Sequence, residues 1–182
     1  MGIQSLNRAE LLGLLRAANE TNRLHWLAIL MAFSHGLRSS EVTAIKRNDI
    51  DGDCLTVKRL KGSMKTSQSL IEHSEPLLNE KTAVLNLIAG YYPNQRLFPW
   101  SRWTQWRLVH KYALQSGLPK HKANNKVLKH SIAMQIIHIA GIENTKQYLG
   151  HKSLSSTGAY LKVTDADASA AARAALSRSN VD

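Results

Sequence analysis

One stretch of strand-like sequence interrupts a chain whose remaining apolar pattern is helical. Asp51-Gly52 predicts a turn, and the Leu-Thr-Val run at 55–57 predicts a strand. Lys61-Gly62-Ser63 predicts a second turn, and Ser67 to Ile71 predicts the returning strand. Because helical patterning both precedes and follows this stretch, we expect a mainly α fold with a small antiparallel β-sheet, in the α+β class.

Two helices and a short third one are predicted before the hairpin. Asn7 and Glu10 have the spacing of a capping box and begin the first helix. The second runs from about Asn22 to His35, and Gly36 ends it because glycine adopts a positive φ without steric cost. The third begins near Ser39-Ser40.

A helical pattern of apolar residues resumes near Leu78 and continues, with breaks, to the end of the chain. Late breaks are predicted at Ala140-Gly141 and at Leu149-Gly150-His151, followed by a helix from about Ser155. Ala166 to Ala175 predicts a terminal helix. We expect a single domain over residues 1–182, with a core at about 5–165 and a helical tail at 166–182.

The charge balance indicates a polyanionic partner. Twenty-four Lys and Arg residues against thirteen Asp and Glu give a formal net charge of +11, and duplex DNA is the commonest partner for such a surplus. A well-solvated basic protein is the alternative. The single cysteine, Cys54, excludes an internal disulfide framework and a cysteine-based zinc site. Because no apolar run suits a signal peptide or a membrane span, we expect a cytoplasmic protein.

Three stretches carry residues suited to phosphate chemistry. In HGLRSSE, residues 35–41, Arg38 lies between two helices and could bind a phosphate beside free helix-start N–H groups. In RLKGSMKT, residues 59–66, Lys61 and Lys65 lie on a hairpin tip. In residues 128–163, His151 precedes Tyr160 by nine positions, so both could face one pocket.

Each stretch also has an ordinary interpretation. Arg38 alone would be a surface arginine paired with Glu41, and the lysines alone would form a solvated basic turn. A tyrosine on such a helix is usually packed in the core, and a histidine after glycine is usually part of a helix cap.

Taken in order, these motifs resemble the catalytic domain of the tyrosine recombinase, or phage integrase, family. GLRxSE in the first third, a hairpin lysine and LGHxSxxxTxxYLxV near the end occur at suitable separations. The opening LNRAELLGLL is similar to the first catalytic-domain helix of the family. The resemblance covers roughly residues 5–165. Because the pattern begins almost at Met1, it is to single-domain members such as the fimbrial-switch invertases, with no separate N-terminal DNA-clamping domain, or else the chain is a fragment.

The resemblance implies a site-specific recombinase that cleaves and rejoins DNA without a metal or other cofactor. Tyr160 would attack a phosphodiester, forming a 3′-phosphotyrosyl link and freeing a 5′-hydroxyl. Arg38 and His151 would bind the phosphate. Lys61 would protonate the leaving 5′-oxygen, with Lys65 as the alternative.

The segment before the long late helix departs from the family pattern. The family carries His-x-x-Arg or Lys-x-x-Arg there, and this chain has Lys126-x-x-Lys129. Lys129 keeps the positive charge but lacks the planar fork of arginine. Losing one well-placed donor to a developing oxyanion costs about 3 kcal/mol, so we expect DNA binding to persist with slower cleavage. Lys65, His130 and Lys152 are expected to contact DNA.

The resemblance also implies partners and an origin. Double-stranded DNA is the expected substrate, and copies are expected to assemble on it as dimers or tetramers through the C-terminal helix, which could instead cap its own domain. A nucleoid-associated protein of prokaryotic, phage or mobile-element origin is implied. A DNA-binding accessory or regulatory protein with a weakened active site and a plain helix-turn-helix repressor are the alternatives.

Overall fold

The computed structural model describes residues 4–60 and 63–158, together with Ser169 and Arg173. The helices within these residues are α1 (Arg8–Thr21), α2 (Arg23–Ser34), α3 (Ser39–Val42), α4 (Glu80–Ile88), α5 (Arg102–Gln115), α6 (Asn125–Leu149) and α7 (Ser155–Gly158). The strands are β1 (Ile50–Asp51), β2 (Cys54–Val57) and β3 (Thr66–Ser69). This arrangement confirms the expected mainly α fold with a small antiparallel sheet.

Asparagine side chains begin both of the first two helices. The side chain of Asn7 accepts a hydrogen bond from Glu10 N at 2.9 Å, and the Glu10 carboxylate accepts one from Asn7 N at 2.9 Å. Asn22 closes α1 by donating to Ala18 O and caps α2 by accepting from Leu24 N at 2.9 Å. The predicted capping box and helix boundary are confirmed.

Helix α2 is the centre of the core. Every residue from Trp26 to Ser34 is buried, and α2 packs against α1, α4, α5 and α6. A helix that is apolar on all sides has to be enclosed in this way. The C-terminal end of α2 therefore has a fixed position, and Arg38 follows it within four residues.

The sheet has the strand order β1-β2-β3 and is antiparallel throughout. Leu55 pairs with Ile50 on one side and with Gln68 on the other. The returning strand ends at Ser69, two residues earlier than predicted, because the Glu80 carboxylate accepts a hydrogen bond from Ile71 N at 2.8 Å. The two-residue strand β1 was not predicted.

Two glycines with positive φ allow close contacts around α6. Gly36 (φ 57°) ends α2, and a Cβ there would lie 2.6 Å from Leu149 Cδ2. Gly150 (φ 67°) ends α6, and a Cβ there would lie 2.6 Å from Met64 O. Met64 N donates to Gly150 O at 2.9 Å, so the residue following the hairpin tip is bonded to the end of α6. Both predicted helix ends are confirmed.

Helix α6 changes direction at Gly141, whose φ of 79° and ψ of 179° are not helical. The predicted break at Ala140-Gly141 is therefore confirmed. The predicted terminal helix at 166–175 lies outside the described residues, apart from Ser169 and Arg173, which are helical. Within the described part of the chain, no helix is long and apolar enough to cross a membrane.

Candidate active site

A cleft of about 870 Å³ lies between the beginnings of α3, α5 and α6 and the segment after α6. Its lining includes five of the residues singled out from the sequence: Arg38, Lys126, Lys129, His130 and His151. None of the described residues that line it is acidic. Asn125 Nδ2 donates to Ser39 Oγ, which joins the start of α6 to the start of α3. The fold thus brings together residues from opposite ends of the chain in one basic cleft.

Arg38 is held at the edge of this cleft by Glu41. Its Nη1 donates to Glu41 Oε1 at 2.8 Å, and its backbone N donates to Glu41 Oε2 at 2.8 Å. Burial opposes ionisation of Glu41, but the N–H groups of Arg38 and Leu60 and the charges of Arg59 and Arg38 outweigh it and lower the pKa of this carboxyl. The Arg38 side chain is 35% exposed, so its guanidinium is both oriented and accessible.

Arg59, which the sequence analysis did not single out, binds the two helix ends beneath the cleft. Its guanidinium is fully buried, and all five of its N–H donors have an acceptor. The acceptors are His35 O at 2.9 Å, Tyr148 O at 3.0 Å, Gly36 O at 3.2 Å, Thr66 Oγ1 at 3.3 Å and Glu41 Oε2 at 3.5 Å. Carbonyls at helix C-termini lack partners within the helix, and Arg59 satisfies those of α2 and α6 together.

Lys129 lies in the cleft without such partners. It is 8% exposed, and among the described residues no acceptor lies within hydrogen-bond distance of its Nζ. Burial and the neighbouring charges of Arg38 and Arg59 lower the pKa of Lys129 to about 8, with Glu41 opposing them. An unpaired buried ammonium is costly, and the cleft offers it room for an anionic ligand.

The two cleft histidines have different surroundings. His151 is 8% exposed, and its Nδ1 lies 2.9 Å from Thr157 Oγ1. Burial and the charges of Lys129, Arg38 and Arg59 lower the pKa of His151 to about 4, so its imidazole is neutral at pH 7. Burial, Lys126 and Lys129 also lower the pKa of His130, which is half-buried.

The remaining residues singled out from the sequence lie elsewhere. Lys65 is exposed and lines a second cavity, between α2, β3 and α6. Lys152 is exposed beside His151. Lys61 and Tyr160 lie outside the described residues, so their roles stay predictions.

An aromatic and basic surface on α5 extends from the cleft and was missed in the sequence. The Trp103 side chain is 64% exposed, and the Arg102 guanidinium lies 5.2 Å from its ring centroid. The Trp106 ring stacks on His110 at 4.9 Å, and both Arg102 and Trp106 line the cleft. Tryptophans spaced at one helical turn and flanked by arginines, as in SRWTQWR, were the available signal.

The cleft can bind a phosphodiester but offers no carboxylate to hold a metal among its described lining residues. Arg38 presents a fixed guanidinium, Lys129 an unpaired ammonium and His151 a neutral imidazole. Donors of this kind stabilise charge that develops on phosphate oxygens.

Comparison with known proteins gives a matching family and several relatives. The model of the phage integrase family matches residues 4–167. The tyrosine recombinase XerA of Thermococcus onnurineus is 27% identical over 168 residues, covering 88% of this chain and 58% of the relative. The type 1 fimbriae regulatory protein FimB of Escherichia coli is 27% identical over 170 residues, covering 84% of this chain and 80% of FimB. The chain thus spans somewhat more than half the length of the archaeal relative.

Solved structures share the fold at low sequence identity. A crystal structure of XerA recombinase superposes with a TM-score of 0.70 at 20% identity, covering 98% of this chain and 64% of that one. A pre-cleavage complex of XerH site-specific recombinase with its difH substrate has a TM-score of 0.69 at 22% identity, covering 94% of this chain and 55% of that one. These similarities concern the arrangement of the backbone.

Proposed function

Because the chain belongs to the phage integrase family, we propose that it is a site-specific recombinase that cuts and rejoins DNA with Tyr160 as the nucleophile. The observation that carries this proposal is the cleft in which Arg38, Lys129 and His151 converge without an acidic neighbour among its described lining residues. The +11 net charge favours the same polyanionic substrate.

The proposed reaction proceeds in two balanced steps. The Tyr160 hydroxyl gives up its proton as its oxygen forms a bond to a DNA phosphorus, the bond to the 5′-oxygen breaks, and that oxygen leaves as a hydroxyl after receiving a proton, so that one proton passes overall from Tyr160 to the 5′-oxygen. A 5′-hydroxyl from a second strand then attacks the 3′-phosphotyrosyl link, reforming the diester and returning the proton to Tyr160. Arg38, Lys129 and His151 stabilise the phosphate oxygens in both steps.

Lys61 is the proposed proton donor to the leaving 5′-oxygen. Leu60 N donates to Glu41 Oε1 at 3.2 Å, and Met64 N donates to Gly150 O at 2.9 Å. These two bonds tie the chain on either side of Lys61 to Glu41, which holds Arg38, and to the residue before His151. Lys65 lines the other cavity, which favours Lys61 for this role.

A nicked suicide substrate tests the proposal. The wild-type protein, incubated with a pool of nicked duplexes, is expected to form an SDS-resistant covalent adduct that Tyr160→Phe abolishes. Tyr92→Phe is the matched control, because Tyr92 is 81% exposed and lies outside the cleft, and it is expected to keep the adduct. Lys129→Arg, which restores the arginine of the family, is expected to raise the yield.

Retained DNA affinity without an adduct in the wild type would overturn the enzyme proposal and favour an accessory DNA-binding protein. An adduct that survives Tyr160→Phe would overturn the assignment of the nucleophile.

We further propose that copies assemble on DNA through the C-terminal segment, residues 166–182. The cavity of about 710 Å³ between α2, β3 and α6 could accept this segment from a second copy. Its lining includes the apolar residues Phe33, Ile132 and Ile136 and the basic residues Arg8 and Lys65. The tail offers matching chemistry, an alanine-rich run preceded by aspartates in VTDADASAAARAAL. Solved relatives include a lambda integrase tetramer bound to a Holliday junction.

Ile136→Asp places a charge in the lining of this cavity and is expected to reduce assembly without changing DNA binding by a single copy. Ile139→Asp, on the same helix, is the control, because Ile139 is 87% exposed and lies outside the cavity. Sedimentation velocity of the protein–DNA complexes measures both. Equal assembly by the two variants would count against this interface.

A further inference from the structure

Thr157 joins the cleft to the segment that leads to Tyr160. It lies on α7, is fully buried, and its Oγ1 lies 2.9 Å from His151 Nδ1. His151 is itself fixed by a hydrogen bond from its backbone N to Lys146 O at 3.0 Å. Both partners are thus anchored, so the contact between them determines how the imidazole is oriented.

In a neutral imidazole, the contact with Thr157 bears on which ring nitrogen carries the proton. A neutral histidine has one N–H, and the partner of one ring nitrogen decides which nitrogen carries the proton. With Nδ1 facing Thr157, Nε2 is the ring nitrogen left for a ligand in the cleft. Phosphate oxygens accept hydrogen bonds, so Nε2 has to carry the proton when a phosphodiester is bound. Nδ1 then has to accept, and the Thr157 hydroxyl has to donate.

We propose that Thr157 is a positioning residue whose hydroxyl donates to Nδ1 and thereby orients and supports the His151 tautomer that donates from Nε2 to the phosphate. The same bond joins α7 to a residue that lines the cleft. This inference rests on the proposed recombinase function.

The surroundings of His151 support this assignment. The cations Lys129, Arg38 and Arg59 disfavour its protonated form, and burial acts in the same direction to lower its pKa. The neutral imidazole is therefore the relevant state near neutral pH, and the Thr157 hydroxyl is able to donate to its Nδ1 when Nε2 carries the proton.

Two substitutions separate positioning from packing. Thr157→Val keeps the shape of the side chain and removes the hydroxyl, while Thr157→Ser keeps the hydroxyl and removes the methyl group. We expect Thr157→Val to slow adduct formation on the nicked substrate by about 10- to 100-fold and to leave DNA affinity within about threefold of wild type. Thr157→Ser is expected to retain a rate near that of the wild type.

Equal rates for Thr157→Val and wild type would overturn the inference. So would a loss in Thr157→Ser as large as that in Thr157→Val, because a merely structural threonine would respond to the missing methyl group. A wild type that forms no adduct would instead refute the proposed recombinase activity.

The ring ¹⁵N chemical shifts of His151, identified by their absence in His151→Gln, give a readout that does not depend on activity. We expect the wild type with bound duplex DNA to show the Nε2–H tautomer. A His151 that carries its proton on Nδ1 in that complex would overturn the inference even if Thr157→Val failed to fold.

Discussion

Arg59 and Lys129 are both buried cations, each 8% exposed, and they differ in what their N–H groups contact. Arg59 donates to carbonyls at the ends of α2 and α6, to a hydroxyl and to Glu41. Lys129 Nζ has no acceptor among the described residues and faces the cleft. One cation therefore holds the site together, and the other is available to a ligand.

The difference shows how a basic site can keep one cation free of ion pairs with the protein's own carboxylates. Glu41 binds both Arg38 and Arg59, whereas Lys129 Nζ has no hydrogen-bond partner among the described residues. A buried cation whose N–H donors are all hydrogen-bonded has its desolvation cost offset, whereas an unpaired buried cation lowers the free energy of unfolding. Substitutions at the two positions should therefore change the free energy of unfolding in opposite directions.

The largest effect is expected at Arg59. Arg59→Met removes all five donors, leaves the carbonyls of His35 and Gly36 at the end of α2 without their partner, and deprives Glu41 of one cation. Breaking a buried ion pair from one side costs about 3–5 kcal/mol, so the free energy of unfolding in urea should fall by that amount. The control is Arg47→Met, because half-buried Arg47 makes one carbonyl contact, to Ile50 O at 3.0 Å. If Arg59→Met lowered the free energy of unfolding no more than Arg47→Met, the proposed contrast between Arg59 and Lys129 would be contradicted.

Lys129→Met is expected to stabilise the protein at pH 7. The pKa of Lys129 falls from 10.5 to about 8 on folding, and at 1.36 kcal/mol per pH unit this corresponds to roughly 3 kcal/mol. Removing the ammonium should raise the free energy of unfolding by about 1–3 kcal/mol while weakening DNA binding. Denaturant unfolding and DNA titration measure the two effects.

The gain from Lys129→Met should depend on pH. Between about pH 8 and 10.5 the unfolded wild-type chain binds more protons at this residue than the folded chain, so the stability of the wild type rises with pH there. The penalty is fully present below pH 8 and is lost towards 10.5, and the difference between variant and wild type should close over that window. A difference that is constant with pH would count against a buried, charged Lys129.

The smallest effect is expected at Lys126, one helical turn before Lys129 and exposed on the rim of the cleft. Lys126→Met should change the free energy of unfolding by less than about 0.5 kcal/mol. It should lower the slope of log affinity against log salt concentration by about 1, as expected for one lost phosphate contact. If Lys126→Met raised the free energy of unfolding as much as Lys129→Met, the different exposure of the two lysines would not explain the effect at Lys129.

Local signals in the sequence predicted the elements that depend on neighbouring residues. The Asn7–Glu10 capping box, the Gly36 helix end and the Asp51-Gly52 turn each need only a few adjacent residues, and each is confirmed. Strand β1 was not predicted, because two residues carry no alternation and pair only once β2 is in place. The order of GLRxSE and the Gly-His motif predicted which residues meet, and five of the seven predicted site residues that the structure describes line one cleft.

The contacts that orient those residues could not be found in the same way. Arg59 lies in a basic hairpin sequence that predicts solvated charge, yet its side chain is fully buried. Thr157 belongs to the LGHxSxxxTxxYLxV motif, but the motif does not reveal its contact with His151, which depends on the 2.9 Å distance between the two side chains. Trp103 and Trp106 could have been recognised by their flanking arginines.

The sequence by itself determined the fold class, the positions of helix ends and the family, because capping, glycine conformation and motif order are local or linear properties. Only the tertiary structure decided which cations are paired. Pairing depends on the distance to acceptors distant in sequence, such as Tyr148 O for Arg59, and on burial, which makes an unpaired Lys129 costly. The residue types in the cleft were readable in advance, while their charge states and orientations come from the packing around them.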